Sequence, residues 1–282
     1  LRARGVDVAR LPFQAGLGRT TMEYYDGFTF SFDVEGLPAV ASGGRYDALT
    51  AVLADMLAFS PDLMINLGDV LSGPLDPMGT AALLEGVPNL TVMGNHDRWL
   101  LDPARRNKGW EAWTYPKLDR MTLGWIAGLP TGLVIEDVMA CHGTPRSDTT
   151  YWLETVGTDG EVHRADPAAI AAEIEGRPQR LYLCGHTHRA RVVRLDDGRM
   201  VINPGSVGLP AFDDDTPRPH RVCAGSPHAS YMILDRQDAD WAVTHRLVPY
   251  DPARMIGLAQ AAGAKDWAQA LETGWVDKPA VG

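Results

Sequence analysis

Three cysteines in 282 residues (Cys141, Cys184 and Cys223) are few and odd in number. They exclude a disulfide framework and point to a reducing, cytoplasmic compartment. No apolar run is long enough to cross a bilayer and no secretory signal is visible, which sets aside a membrane partner and export. Positive charge is short as well: 26 Lys and Arg stand against 36 Asp and Glu, a formal charge of −10. A surface of that sign repels phosphate backbones, so nucleic acid is not a favoured partner, although a bound cation reverses the sign locally. Internal repeats and low-complexity tracts are missing. The first residue is Leu rather than Met, as in a fragment or a processed product. Nothing in the chain specifies an oligomeric state.

What is present is a hydrophobic fraction of 45%, enough for one large or two medium domains with a substantial core. The apolar residues include one repeated design. Leu181-Tyr-Leu-Cys184 runs into Gly185 and then His186-Thr-His188. Leu63-Met-Ile-Asn-Leu67 runs into Gly68-Asp69, Leu90-Thr-Val-Met93 into Gly94-Asn95-His96-Asp97, and Val138-Met-Ala-Cys141 into His142-Gly143. Each is a short buried-strand pattern that delivers an Asp, Asn or His at its carboxyl end. Open α/β sheets collect ligands in the crevice beyond those ends, so four such units in one chain point to a metal site. Cys141 and Cys184 precede ligand positions, and because successive strand residues face opposite ways they are expected in the core.

Between these strands the pattern predicts helices near 48–57, 78–85, 148–155 and 166–176. Residues 98–125, with four of the eight tryptophans, read as a helical wall or cap. Hairpins are expected at 132–141 and at 191–202, the latter across Asp196-Asp197-Gly198. Residues 210–230, with the acidic run Asp213–Asp215 and several prolines, read as an irregular insertion, followed by strands near 230–235 and 241–248 and an Ala-rich helical tail.

The first 47 residues differ. Leu11-Pro-Phe-Gln-Ala-Gly-Leu-Gly-Arg-Thr20, Glu23-Tyr-Tyr-Asp-Gly-Phe-Thr-Phe-Ser-Phe32 and Ala41-Ser-Gly-Gly-Arg-Tyr-Asp-Ala-Leu49 resemble the histidine-binding motifs of histidyl-tRNA synthetase. They are more similar still to its relative, the regulatory subunit of ATP phosphoribosyltransferase. A stretch of about 50 residues is too short to bury a core alone.

From residue 48 to 250 the order Asp69, Asn95-His96-Asp97, His142, His186-Thr-His188 resembles the calcineurin-like metallophosphoesterases motif by motif. That resemblance implies a four-layer αββα sandwich and hydrolysis of a phosphomonoester or phosphodiester by hydroxide formed at two divalent metals. By the same resemblance Asp69 bridges the metals, Asn95, His142 and His186 hold the second ion, and His188 holds the first. His96 becomes the general acid and Asp97 its orienting partner. Oxygen and nitrogen ligands admit Mn, Fe, Ni, Co or Zn. Family members begin with a strand ending in Asp-x-His-Gly. The equivalent stretch here, Ala39-Val-Ala-Ser-Gly-Gly-Arg-Tyr-Asp-Ala-Leu49, lacks that Asp and His, so occupancy closer to one ion than two and weakened turnover are expected. Leu37–Ala41 is expected to substitute for the missing strand. Three domains follow: a synthetase-like piece over 1–47, the phosphoesterase over 48–250, and a helical tail over 251–282. Three functions stay open: a metal-dependent phosphoesterase acting on a small phosphorylated substrate, a metal-binding pseudo-enzyme, and an amino-acid-sensing regulatory module.

Overall fold

A computed structural model describes residues 45–238 and 240–277, which belong to one compact unit running from Ser42 to Gly282. The synthetase-like motifs before residue 45 and the substitute strand Leu37–Ala41 lie outside the described residues. The described chain opens with helix α1 (Arg45–Leu57), strand β1 (Ile65–Asn66), helix α2 (Pro77–Glu85) and strand β2 (Leu90–Thr91). A helical wall follows, α3 (Asn95–Leu101), α4 (Gly109–Thr114) and α5 (Arg120–Ala127). Strands β3 (Gly132–Ile135) and β4 (Val138–Cys141) form a hairpin, as do β5 (Glu154–Val156) and β6 (Val162–Arg164) before helix α6 (Pro167–Ala172). Next come β7 (Leu181–Leu183), β8 (Arg191–Arg194), β9 (Met200–Asn203) and the hairpin β10 (Ala211–Asp214) with β11 (His220–Cys223). The chain continues through a long hairpin, β12 (Ala229–Gln237) with β13 (Asp240–Val248), to helices α7 (Ala253–Ala261) and α8 (Lys265–Thr273).

The central sheet has five strands in the order β3-β4-β7-β9-β8, parallel inside and antiparallel at both edges. Its inner strands are apolar along nearly their whole length because both faces are covered, Asn203 at the end of β9 being the polar exception. Met139, Cys141, Tyr182, Cys184 and Val201 face outward onto Ile170 and Ile174 of the α6 region. The alternate residues Ala140, Leu181, Leu183, Met200 and Ile202 face inward. There they meet Ile65 and Leu67 from the first strand region and Met232, Leu234, Trp241 and Val243 from the β12–β13 hairpin. The other face of that hairpin, Ala229, Tyr231 and Val248, carries Ala48 and Val52 of α1. Helix, hairpin, five-stranded sheet and helix are the four layers of an αββα sandwich. The two cysteines are in the core as expected, and burial pushes the Cys141 thiol up to about 12.

Two expectations fail. Residues 211–223 are an ordered hairpin rather than an irregular insertion, and the acidic run begins inside β10. Its polar residues hide the strand pattern, and long-range contacts hold it: Tyr151 Oη lies 3.0 Å from Nε2 of the buried His220, while Ala211, Phe212 and Cys223 pack with the α7 and α8 helices. The helix expected near 148–155 is a tight loop leading into β5. Hydroxyl bonds among Thr144, Ser147, Thr149 and Thr150 take up its backbone and side-chain groups, the competition by which Ser and Thr disfavour helices. The C-terminal stretch is helical as expected, and it packs on Leu75 and Leu209 of the same compact unit. No helix among the described residues is long and apolar enough to cross a membrane.

A polar clasp fixes α1 to the hairpin. Asp55 accepts from Tyr231 Oη at 2.6 Å and from Arg246 Nη2 at 2.7 Å and Nε at 3.0 Å. The Arg246 and Tyr231 bonds hold the Asp55 carboxyl below the usual carboxylate range despite some desolvation. Asp55→Ala is expected to destabilise the fold by about 1 kcal/mol at neutral pH, a screened value because Arg246 stays solvent-accessible. A depressed carboxylate stabilises above its unfolded value and stops doing so as pH falls through the folded one. Urea unfolding of parent and variant should therefore differ at pH 7 and converge as pH falls through the lowered range in which folded Asp55 takes up its proton. A gap that persists there would assign the effect to packing.

Candidate metal centre

Just past β1 and Leu67 come two residues with left-handed backbone, Gly68 at φ 92° and Asp69 at φ 56°. The turn aims the Asp69 carboxylate at the loop after β2. At that crossing a Cβ on Gly68 would stand 2.5 Å from the Gly94 nitrogen, and one on Gly94 would collide with the Asp69 carboxylate. Two bare glycines are the condition for this approach. Asp97, fully buried, knits the loops together: it accepts from Asp69 N at 2.7 Å, Gly94 N at 2.9 Å and Val70 N at 3.0 Å. His186 and His188 also have positive φ, 66° and 56°. Non-glycine residues in this region carry strain that the surroundings must impose. Asn203, buried at the end of β9, does so by donating to Gly185 O at 2.6 Å and Thr187 Oγ1 at 3.0 Å.

The site assembles on His142. Its Nδ1 donates to Leu67 O at 2.5 Å, which leaves Nε2 pointing at Asp69 Oδ2 at 3.0 Å and Asn95 Oδ1 at 3.1 Å. His186 stands alongside, with ring centroids 5.1 Å apart, and its own ring bonds the Thr149 backbone. Ligand atoms of Asp69, His142 and His186 all lie within 4.8 Å of one another. With Nδ1–H committed to Leu67, a neutral His142 would present a lone pair to two oxygen lone pairs. That arrangement is stable only around a positive charge, either a proton or a cation. Burial raises the Asp69 carboxyl and lowers His142, but their mutual attraction wins: Asp69 is held far below the usual range and His142 rises to about 9. Burial and the His142 charge press His186 down to about 3. A carboxylate, an amide oxygen and two imidazoles are a fitting donor set for a divalent transition metal.

A cation bound through His142 Nε2 would have to displace the proton there. Below about 9 that proton is present, so affinity should rise about tenfold per pH unit and level off above it. Between pH 6.5 and 8.5 the Kd for Mn2+, titrated against a chelating dye, should tighten about 100-fold. His186, titrating near 3, adds nothing in this window. A Kd independent of pH would mean that His142 is not a ligand.

The remaining expected residues take separate places. His188 stands outside the triad; its ring packs against Phe212 with centroids 4.9 Å apart, and its charge reaches His186. His96 donates its backbone N–H to Asp69 Oδ1 at 2.9 Å, which puts its ring at the rim. The partner of that ring is not Asp97, whose oxygens are occupied by backbone N–H groups, but Glu111. Glu111 Oε1 lies 2.5 Å from His96 Nδ1, and Glu111 is buried while His96 is about a third exposed. Trp99 supports the other side of the imidazole at 4.7 Å. Glu111 reaches the site because Thr114, one turn on, exchanges hydrogen bonds with Gly73 N at 3.0 Å and O at 3.2 Å and so pins α4 to the loop after Asp69. Its sequence neighbours, Trp110 and Ala112, carry no signal of this role.

Residues 44–239 match the Calcineurin-like phosphoesterase superfamily domain. A metallophosphoesterase from Sphaerobacter thermophilus is similar at 26% identity and a TM-score of 0.62, covering 82% of this chain and 96% of its own. A hypothetical protein from Pyrococcus horikoshii OT3 has the same TM-score, 0.62, at 16% identity, covering 83% of this chain and 96% of its own, a likeness of fold alone. No curated protein sequence matches the chain.

Proposed function

Because this chain belongs to the calcineurin-like phosphoesterase superfamily, we propose that it hydrolyses a small phosphate monoester or diester with divalent cations held by Asp69, Asn95, His142 and His186. The observation that carries the reading is the convergence of lone pairs from Asp69, Asn95 and His142 on one point. His188 is proposed as a ligand of a further ion bridged by Asp69. The absence of the Asp-x-His pair in residues 39–49 makes that ion the weaker one, so occupancy nearer one than two is expected.

Bound cations would supply electrophilic stabilisation of the phosphoryl oxygens and a water of lowered pKa. The protein residues supply the rest. Leu67 O fixes the His142 tautomer and the Thr149 backbone steadies His186, so neither ring needs to reorganise during reaction. Asp97 holds the Asp69 turn in its left-handed conformation. Glu111 occupies Nδ1 of His96, and its charge with that of Asp69 raises the imidazole pKa against the effect of burial. The opposite ring atom, Nε2–H, is then the proton donor for the leaving oxygen. Asp97 acts through the backbone and is proposed as a structural member of the site.

The test is metal content by elemental analysis, followed by turnover of bis(4-nitrophenyl) phosphate and 4-nitrophenyl phosphate with added manganese. Bound metal with hydrolysis well above the buffer rate is the expected result. Metal without turnover would establish the second reading, a metal-binding pseudo-enzyme, which the missing Asp-x-His pair favours. A chain that binds neither metal nor phosphate ester would overturn both.

A further inference from the structure

His186 has a left-handed backbone, φ 66°, and its surroundings must hold its imidazole in place. Much of that hold comes from one short segment, Asp148 to Tyr151. The Thr149 backbone bonds the ring, and because that bond favours the protonated imidazole, the carbonyl accepts and the ring N–H donates. The Tyr151 ring stands edge-on to His186, with centroids 5.2 Å apart and planes at 68°. Both ends of the segment are fastened elsewhere. At one end Arg98 grips Asp148 with a fork, Nε to Oδ2 at 2.7 Å and Nη2 to Oδ1 at 2.9 Å. Arg98 lies three residues after Asn95, so the two share a face of α3, and Asn95 is one of the groups that meet at His142 Nε2. At the other end the buried His220 donates Nδ1–H to Arg218 O at 2.8 Å, which leaves Nε2 to accept from Tyr151 Oη at 3.0 Å. The segment also folds back onto the residue after His142. A Cβ on Gly143 would stand 2.5 Å from Ser147 O and 2.9 Å from Thr150 O.

We propose that the segment Asp148–Tyr151 is the positioning element of His186, set by Arg98 and Tyr151, so that the spacing of the Asn95 and His186 donors is fixed before a cation arrives. Neither side chain is a ligand: the Arg98 guanidinium is spent on Asp148 and the Tyr151 hydroxyl on His220, and both act through the His186 ring. The inference rests on the reading of His186 as a metal ligand, and its test needs no turnover. A partly exposed ion pair adds little to global stability, whereas a two-bond fork orders the chain it grips. Loss of Arg98 should therefore show at the metal centre and hardly in the melting temperature.

The first measurement is the nitrogen NMR spectrum of the His186 imidazole in the metal-free full chain. The parent should show one protonated and one bare ring nitrogen, as a ring committed to a single acceptor requires. In Arg98→Gln and in Tyr151→Leu the two signals should move toward each other as the tautomers exchange. The second is the Kd for Mn2+ by titration calorimetry. It should weaken about fivefold in Arg98→Gln and about tenfold in Tyr151→Leu, with smaller losses in Arg98→Lys and Tyr151→Phe. The losses in the double variant should be less than additive, because both changes act on one ring. Arg194→Gln breaks a comparably exposed pair with Asp240 and should move neither reading. A Kd within twofold of the parent in either Arg98→Gln or Tyr151→Leu, an equal loss in Arg194→Gln, or an unmoved His186 spectrum would overturn the proposal. If Tyr151→Leu does not fold, Tyr151→Phe takes its place with the same twofold threshold. These losses in a chain that binds metal but hydrolyses no ester would sink the phosphoesterase reading alone and leave the positioning role standing. A parent that binds no Mn2+ would overturn both.

Discussion

Asp69→Asn is expected to weaken divalent cation binding at the triad by at least about 100-fold and to remove nearly all phosphoester turnover. The change keeps the volume of the side chain and removes the only anion among the described residues in direct contact with His142 Nε2, at 3.0 Å. Breaking one partner out of a buried charge pair costs about 3–5 kcal/mol, which corresponds to two to three orders of magnitude or more in affinity. The proton on His142 should loosen as well, because Asp69 is the attraction that outweighs burial and lifts it to about 9. In metal-free Asp69→Asn the His142 imidazole should therefore titrate well below its parent value. Isothermal titration with Mn2+ and NMR titration of His142 read both effects. Cation binding within threefold of the parent would show that the lone-pair convergence is not the metal site.

His96→Ala is the second large effect, and it depends on the leaving group. A positioned general acid contributes about 10²–10⁴ to rate when the departing oxygen is a strong base. An alkyl phosphate ester should lose that factor. A 4-nitrophenyl ester leaves as a weakly basic phenolate and should lose about tenfold or less. Glu111 touches no substrate atom; it positions His96 and holds charge on it. Glu111→Gln keeps the shape, so a loss of about tenfold on the alkyl ester, with little on the nitrophenyl ester, is the signature of that role. The double variant should be no slower than His96→Ala alone, because the second change acts only through the first residue. Equal losses on both esters, or additive losses in the double variant, would mean that Glu111 merely stabilises α4. Thermal melts of each variant separate that outcome from loss of fold.

The legible part of this protein lay in strands that must be buried on both faces. Runs such as Leu181–Cys184 and Val138–Cys141 are continuous apolar stretches closed by glycine, and no solution other than a covered central sheet satisfies them. The same runs announced their ligands, because a polar residue directly after a buried strand has only the crevice at the strand end to occupy. Asp69, Asn95, His142 and His186 meet there. The β10–β11 hairpin was not legible, since its acidic and proline-rich pattern lacks strand periodicity and it is ordered by packing on helices from the end of the chain. Nor was the division of labour between two neighbouring carboxylates. Asp97, adjacent to His96, turns to the backbone of the Asp69 loop, while Glu111 crosses from another helix to the imidazole.

By itself the sequence determined which residues could be metal ligands and the order in which they arrive, because both follow from local hydrophobic pattern, and local pattern is complete in the chain. The αββα layering was what the motif-by-motif resemblance to the calcineurin-like family implied. The tertiary structure alone decided which lone pairs face one another, which imidazole keeps a proton, and which carboxylate serves the acid. Each of these turns on a contact between segments far apart in sequence, at ångström distances and in a dry interior where one charge governs the next.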